Sequence, residues 1–128
     1  MPKTSFTCGL DAALAVVGGK WKPLILFHLA HGKIRYASLR RQVGSVSDKM
    51  LSQQLRELED DGVIERVDHR EIPPRVDYSL SPFGRSLAQA LVPLCVWGTD
   101  HMNKIDKLVV RRSASKVRRE RPTTAPPG

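Results

Sequence analysis

The sequence predicts a mainly α-helical fold with one small β-hairpin, and three observations lead there. Two apolar-periodic segments flank the short turn Gly44-Ser45-Val46, the spacing of a helix-turn-helix. Two strand-like runs, residues 64–69 and 75–80, follow at once around a Pro-Pro tip. Helical segments at both ends then hold more large apolar residues than one modest core needs.

Each element has its own justification. Residues 1–7 lack periodicity and are expected to form a flexible N-terminal arm. Leu10–Val17 is Ala-rich and stopped by Gly18-Gly19, which predicts a short first helix. Pro23 suits the first turn of a second helix reaching Ala30, closed by Gly32 and apolar on nearly every side, as a central core helix would be. Ile34-Arg35 has room only for a brief strand. Tyr36, Leu39 and Val43 share one face of a third helix. Ser47 is a good N-cap for a fourth, running to about Asp61 with Gly62 just beyond its end. Val76, Tyr78 and Leu80 alternate as in a half-buried strand, whereas the prolines within Arg70–Pro74 forbid a continued ladder. Ser81-Pro82 opens a long helix with Phe83, Leu87, Leu91, Leu94 and Trp97 spaced for one face, and Pro93 is expected to kink or split it near residue 90. Beyond Val110 the chain turns basic and Pro/Thr-rich and is expected to be disordered. The predicted organisation is an arm (1–7), a winged helix-turn-helix domain with dimerisation helices at both ends (8–110), and a disordered basic tail (111–128).

Charge indicates the partner. Lys and Arg number 21 against 13 Asp and Glu, a net charge of +8, which points to nucleic acid or another anionic surface. Five of those eight charges come from residues 111–128, with six basic groups and one acid. A basic tail alone proves little, so the folded part must carry its own evidence. Two cysteines are too few for a disulfide scaffold, no apolar run approaches a membrane span, and Met1–Thr7 shows no signal-peptide pattern. A cytoplasmic location with reduced thiols is therefore expected. Neither a Gly-rich phosphate loop nor a nucleophile elbow is present, so no enzyme activity and no cofactor are expected. His28 and His31 lie three apart, but no further ligand stands at matching spacing, and no metal is expected.

The fourth helix carries the sharpest signal. Stepping 100° per residue puts Leu51, Leu55 and Leu58 on one narrow stripe, and Lys49, Gln53 and Arg56 opposite. Its N-terminal half thus offers Ser47, Lys49, Ser52, Gln53 and Arg56, side chains that bond phosphates and base edges. Glu57, Glu59, Asp60 and Asp61 crowd the other half and would repel phosphate. Only the N-terminal half is expected against double-stranded DNA. An isolated helix with these residues would read as merely solvated; the turn before it and the wing after it reverse that. In such folds the second helix enters the major groove while the hairpin reaches the backbone or minor groove.

Several motifs occur in one order: Cys8; Gly18-Gly19-Lys20-Trp21-Lys22; the run from Met50-Leu51-Ser52-Gln53-Gln54-Leu55-Arg56 to Glu57-Leu58-Glu59-Asp60-Asp61-Gly62; Pro73-Pro74-Arg75-Val76-Asp77-Tyr78-Ser79-Leu80; and Trp97-Gly98. Together they closely resemble the HxlR-type (DUF24) transcriptional regulators, over residues 8 to about 105. Gly9 stands where many members have Pro, and Gly44-Ser45-Val46-Ser47 replaces the commoner Pro-Gly-Ile-Ser turn. The resemblance implies a homodimeric, MarR-like winged-helix DNA-binding regulator of bacteria, most often a repressor. It also implies that Cys8 is a candidate redox or effector site, because the matching cysteine of several members senses oxidants, quinones or other electrophiles.

The remaining candidates each have two readings. Cys8 lies just before the first helix, where the dipole can stabilise a thiolate, with Lys3, Lys20 and Lys22 nearby in sequence; it is a sensor or a quiet structural thiol. Cys95, between Leu94 and Val96, is expected to pack as an inert small hydrophobe. In the wing, His69, Arg70 and Arg75 flank the stiff tip and are expected to reach DNA, unless Arg75 pairs with Glu71 or Asp77. Leu87, Leu91, Leu94, Trp97, Met102 and Ile105 either form a two-fold interface or cap the monomer core. The main functional alternative is a nonspecific or architectural nucleic-acid binder driven by basic charge; a thiol enzyme using Cys8 is a third.

Overall fold

The computed structural model describes residues 5–120. Its elements run α1 (Gly9–Val17), α2 (Trp21–Leu29), β1 (Ile34–Arg35), α3 (Tyr36–Val43), α4 (Asp48–Asp60), β2 (Ile64–Asp68), β3 (Val76–Leu80), α5 (Pro82–Asp100) and α6 (Met102–Glu120). No single helix among the described residues is long and apolar enough to cross a membrane. The chain divides into two compact units, residues 1–91 and 92–128.

The first unit is a winged helix-turn-helix. Ile25, Leu26 and Leu29 of α2 are buried against Leu39 and Val43 of α3, the stripe Leu51, Leu55 and Leu58 of α4, and Val63, Ile64, Tyr78 and Leu80 of the sheet. Ser47 caps α4 by accepting a hydrogen bond from the Met50 amide at 3.1 Å, one of the amides a helix start leaves unpaired. At the other end Gly62 adopts φ +73°, a left-handed conformation suited to glycine. The hairpin belongs to a three-stranded antiparallel sheet of order β1-β3-β2, because Ile34 and Arg35 pair with Tyr78 and Asp77. Ile64 pairs with Leu80 and Asp68 with Val76, and the His69 amide donates to the Arg75 carbonyl to close the wing loop.

The start of α5 is locked to this sheet. Ser81 donates its amide to the Val63 carbonyl at 3.0 Å, and its hydroxyl oxygen accepts from the Gly84 amide at 3.0 Å. Gly84 lies so close that an added Cβ would stand 1.9 Å from the Val63 carbonyl oxygen. Only glycine fits there.

Two expectations about the C-terminal helices are corrected first. Pro93 neither splits nor ends α5, which runs unbroken to Asp100 and stops at His101. Pro93 removes its own amide bond to the preceding turn, and the good helix formers Leu87, Ala88, Gln89, Ala90 and Leu91 keep that turn helical. The unit boundary at Leu91/Val92 nevertheless falls beside it. Residues 111–120 are helical rather than disordered, as the C-terminal half of α6. Arg, Ala, Lys and Glu in that stretch favour helix, and no proline occurs before Pro122. The rest of the expected tail, 121–128, and residues 1–4 of the expected arm lie outside the described residues.

In the second unit, Leu94, Trp97 and Met102 are exposed and Ile105 is half-buried, while Trp97 stacks on His101 with ring centroids 4.7 Å apart. Leu87 and Leu91, in the first unit, pack instead against the edge of its core. Cys95 is exposed in the single chain, not packed as expected, because its stretch of α5 has no core of its own to enter.

Candidate nucleic-acid interface

Helix α4 presents the predicted surface. Lys49, Ser52, Gln53 and Arg56 are exposed while Leu51, Leu55 and Leu58 are inaccessible, so the 100° stepping placed every one of them correctly. Lys49, Gln53 and Arg56 make no hydrogen bond or ion pair with the other described residues. Their donors and acceptors are therefore free for another molecule. Ser47 is exposed too, and although its oxygen serves the cap, its hydroxyl proton remains available. The acid-rich half of α4 is partly tied down, since Glu57 pairs with Lys22 of α2 at 3.3 Å.

A cluster beside this face went unnoticed in the sequence. Tyr36, at the start of α3, donates its hydroxyl to Asp48 at 2.8 Å and lies 3.5 Å from the Ser52 hydroxyl. Burial pushes the Tyr36 phenol above its ordinary range, which keeps that proton in place. Arg40 pairs with Asp48 at 3.1 Å, and Arg41 donates to Ser38 at 3.2 Å. Tyr36, Arg40, Arg41 and Asp48 border an open cleft of about 530 Å³ between α3 and the start of α4. Tyr36 was legible only as an apolar-face residue, and nothing in the sequence linked it to a residue twelve positions on.

The wing differs from expectation. Arg70 is exposed, in a left-handed conformation (φ 53°), with its amide donating to Asp68 at 2.9 Å. His69 and Arg75 are not free. Both turn back onto Asp77, which they meet at 2.9 and 3.3 Å, and Lys33 approaches the same carboxylate at 4.0 Å. The pairing of Arg75 with Asp77, weighed as an alternative from sequence, is the one adopted. Asp77 is only 2% exposed, and the His69 hydrogen bond, seconded by Arg75, holds its carboxyl below the usual range. A carboxylate depressed in the folded state favours folding above its ordinary range and loses that contribution as pH falls through its lowered value.

Cys8 is exposed and occupies the N-cap position of α1. The backbone amides of Asp11 and Leu10, with a smaller contribution from Thr7, hold its thiol below the ordinary value. The lysines proposed to help are engaged elsewhere, Lys22 with Glu57 and Lys20 over the Trp21 ring at 4.8 Å, and Lys3 lies outside the described residues. The helix start itself supplies the field.

Comparison with known proteins agrees with this geometry. Residues 16–106 match the model of the HxlR-like helix-turn-helix family. The HTH-type transcriptional regulator YtcD of Bacillus subtilis (strain 168) is 50% identical over 105 residues, covering 82% of this chain and 83% of YtcD. Its crystal structure superposes with a TM-score of 0.68, over 76% of this chain and 99% of that one. The redox regulator HypR in its reduced form gives a TM-score of 0.72 at 37% identity, covering 78% of this chain and 99% of that chain. A winged helix-turn-helix with a free polar face on α4, matched over most of its length, leaves one assignment: the chain belongs to the HxlR-like helix-turn-helix family of DNA-binding transcriptional regulators.

Proposed function

We propose that the protein is a homodimeric, sequence-specific regulator, acting as a repressor on a palindromic operator. The observation that carries this reading is the unpartnered row Lys49, Gln53 and Arg56, standing opposite a fully buried leucine stripe. With Ser47 and Ser52 it would read base edges and phosphates in the major groove, while Arg70 at the wing tip reaches the neighbouring backbone or minor groove. Arg40 and Arg41 of α3 add phosphate contacts. Exposed apolar side chains support pairing: Leu10 and Leu14 on α1, and Leu94, Trp97 and Met102 on α5 and α6. A two-fold dimer would present two α4 helices to half-sites about one turn apart. A gel-shift titration with competitor DNA tests the reading. Operator complexes should survive nonspecific competitor, with a ratio of affinities of about 10³ or more, and equal competition by any duplex would contradict it.

One observation favours an additional nonspecific contribution. Helix α6 extends the basic sequence to residue 120 and carries Arg111, Arg112, Arg118 and Arg119. Truncation after Val110 is expected to weaken binding chiefly at low salt and to flatten the salt dependence, leaving dimerisation intact. Sedimentation velocity at two salt concentrations checks both halves of that statement. A monomeric truncation would make α6 part of the interface instead.

Regulation is proposed to run through Cys8, consistent with the redox regulator HypR among the similar structures. Lowering the pKa of an exposed thiol raises its thiolate fraction, and the thiolate is the attacking species for oxidants and electrophiles. Alkylation of Cys8 should reach half its plateau rate at a lower pH than the same cysteine in the unfolded chain. Diamide or a quinone should change operator affinity in wild type and in Cys95→Ser, but not in Cys8→Ser. A response lost only in Cys95→Ser would transfer the role to the other exposed thiol.

A further inference from the structure

The root of the wing is organised around one carboxylate. Asp77 lies in the central strand, on the face of the sheet turned away from Tyr78 and Leu80, with Arg35 and Val67 as its cross-strand neighbours. An aspartate on that face would ordinarily be solvated, yet only 3% of this side chain is exposed. His69, Arg75 and Lys33 cover it. A buried charge is tolerable only when paired, and here the pairing has a specific topology. His69 and Arg75 are the residues that bracket the loop Arg70–Pro74, and their backbones are joined by a 3.0 Å hydrogen bond. One acid therefore ties both ends of the loop that carries the exposed Arg70. The clasp has a cost, since the Arg75 Nε is buried without a hydrogen-bond partner, so the guanidinium is held through its other end.

We infer that Asp77 is a positioning residue for DNA specificity: a buried clasp that fixes the wing loop in one geometry and withholds His69 and Arg75 from indiscriminate phosphate contact. This rests on the reading of the wing as a DNA contact. The groups facing Asp77 are Lys33, Arg35, His69 and Arg75, so its removal leaves three cations and a histidine with no carboxylate among them to organise them. The consequence is opposite to that of an ordinary stabilising residue. Losing Asp77 should strengthen nonspecific binding while weakening discrimination.

The test uses the full chain as wild type, Asp77→Asn and His69→Ala, with two readouts. In the free protein, exchange of the His69 amide should accelerate about tenfold or more in Asp77→Asn while α4 amides such as Leu55 keep their protection, the pattern of local rather than global opening. On DNA, the salt slope for nonspecific duplex should steepen by about 0.9 for each cation released onto a phosphate, and the specific-to-nonspecific ratio should fall about tenfold. His69→Ala opens one limb only and should accelerate the same amide to a smaller degree, which decides the matter if Asp77→Asn does not fold. Unchanged His69 exchange in both variants, or weakened nonspecific binding in a folded Asp77→Asn, would overturn the inference. Wild-type protein without sequence preference would count against the DNA reading itself, and the exchange readout would still show whether the clasp exists.

Discussion

Replacing Gly84 by alanine is expected to destabilise the first unit by about 3 kcal/mol, at the upper end of what one inserted methyl costs a packed site. The added Cβ would stand 1.9 Å from the Val63 carbonyl oxygen and 2.9 Å from its carbon, and both are backbone atoms. No rotamer change relieves that contact; α5 or the turn into β2 must move. Moving either strains the Ser81 links to Val63 and Gly84 that close the sheet onto the helix. Thermal unfolding should show a midpoint lowered by roughly 10–20 °C for a domain of this size. Gly98→Ala in the same helix is the control, because nothing lies within 4 Å of that position and alanine is the better helix former by up to about 1 kcal/mol. Equal midpoints for Gly84→Ala and wild type would mean that α5 sits farther from the sheet than described.

Gln53→Ala should change which sequence is preferred rather than how stable the protein is. Gln53 is exposed, holds no partner among the described residues, and lies midway along the face that Lys49 and Arg56 share. A glutamine amide can bond adenine through one acceptor and one donor, and losing such a pair costs roughly 1–3 kcal/mol of discrimination at one base position per half-site. Unfolding midpoints should move little, since truncating an exposed side chain removes little packing. Competition with single-base operator variants reads the effect directly. A variant that binds tightly with its sequence preference intact would place Gln53 away from the bases.

The helix-turn-helix was legible because its signals are local. Ser47 as a cap, the three-leucine stripe and Gly62 at the helix end all lie within sixteen residues, and each acts through backbone geometry or helical periodicity. The outward face of α4 followed from the same stepping. The wing was legible as a hairpin with a basic tip, but the packing at its root was not. Alternation places Asp77 outward, and only the return of His69, Arg75 and Lys33 over it, from three different segments, makes it buried. Tyr36 and Asp48 meet across the turn for the same long-range reason. The C-terminal error was one of composition: six basic groups among 111–128 suggested solvated coil, while the propensities of residues 111–120 favour helix. For Cys8 the position and the main cause, the start of the first helix, were both legible; only the added lysine field was not found, since backbone amides lower its pKa. Cys95 shows the converse, because an apolar neighbourhood in sequence does not ensure a core in space.

The central claim is that the free face of α4 reads DNA sequence from two copies of the chain at once. Selection of bound duplexes from a random-sequence pool, sequenced after several rounds with wild type and with Gln53→Ala, tests it most directly. The expected result is an enriched inverted repeat with half-site centres about one helical turn apart, altered in Gln53→Ala at one symmetric position per half-site. A pool that stays random, or an enriched motif identical for both proteins, would contradict the claim.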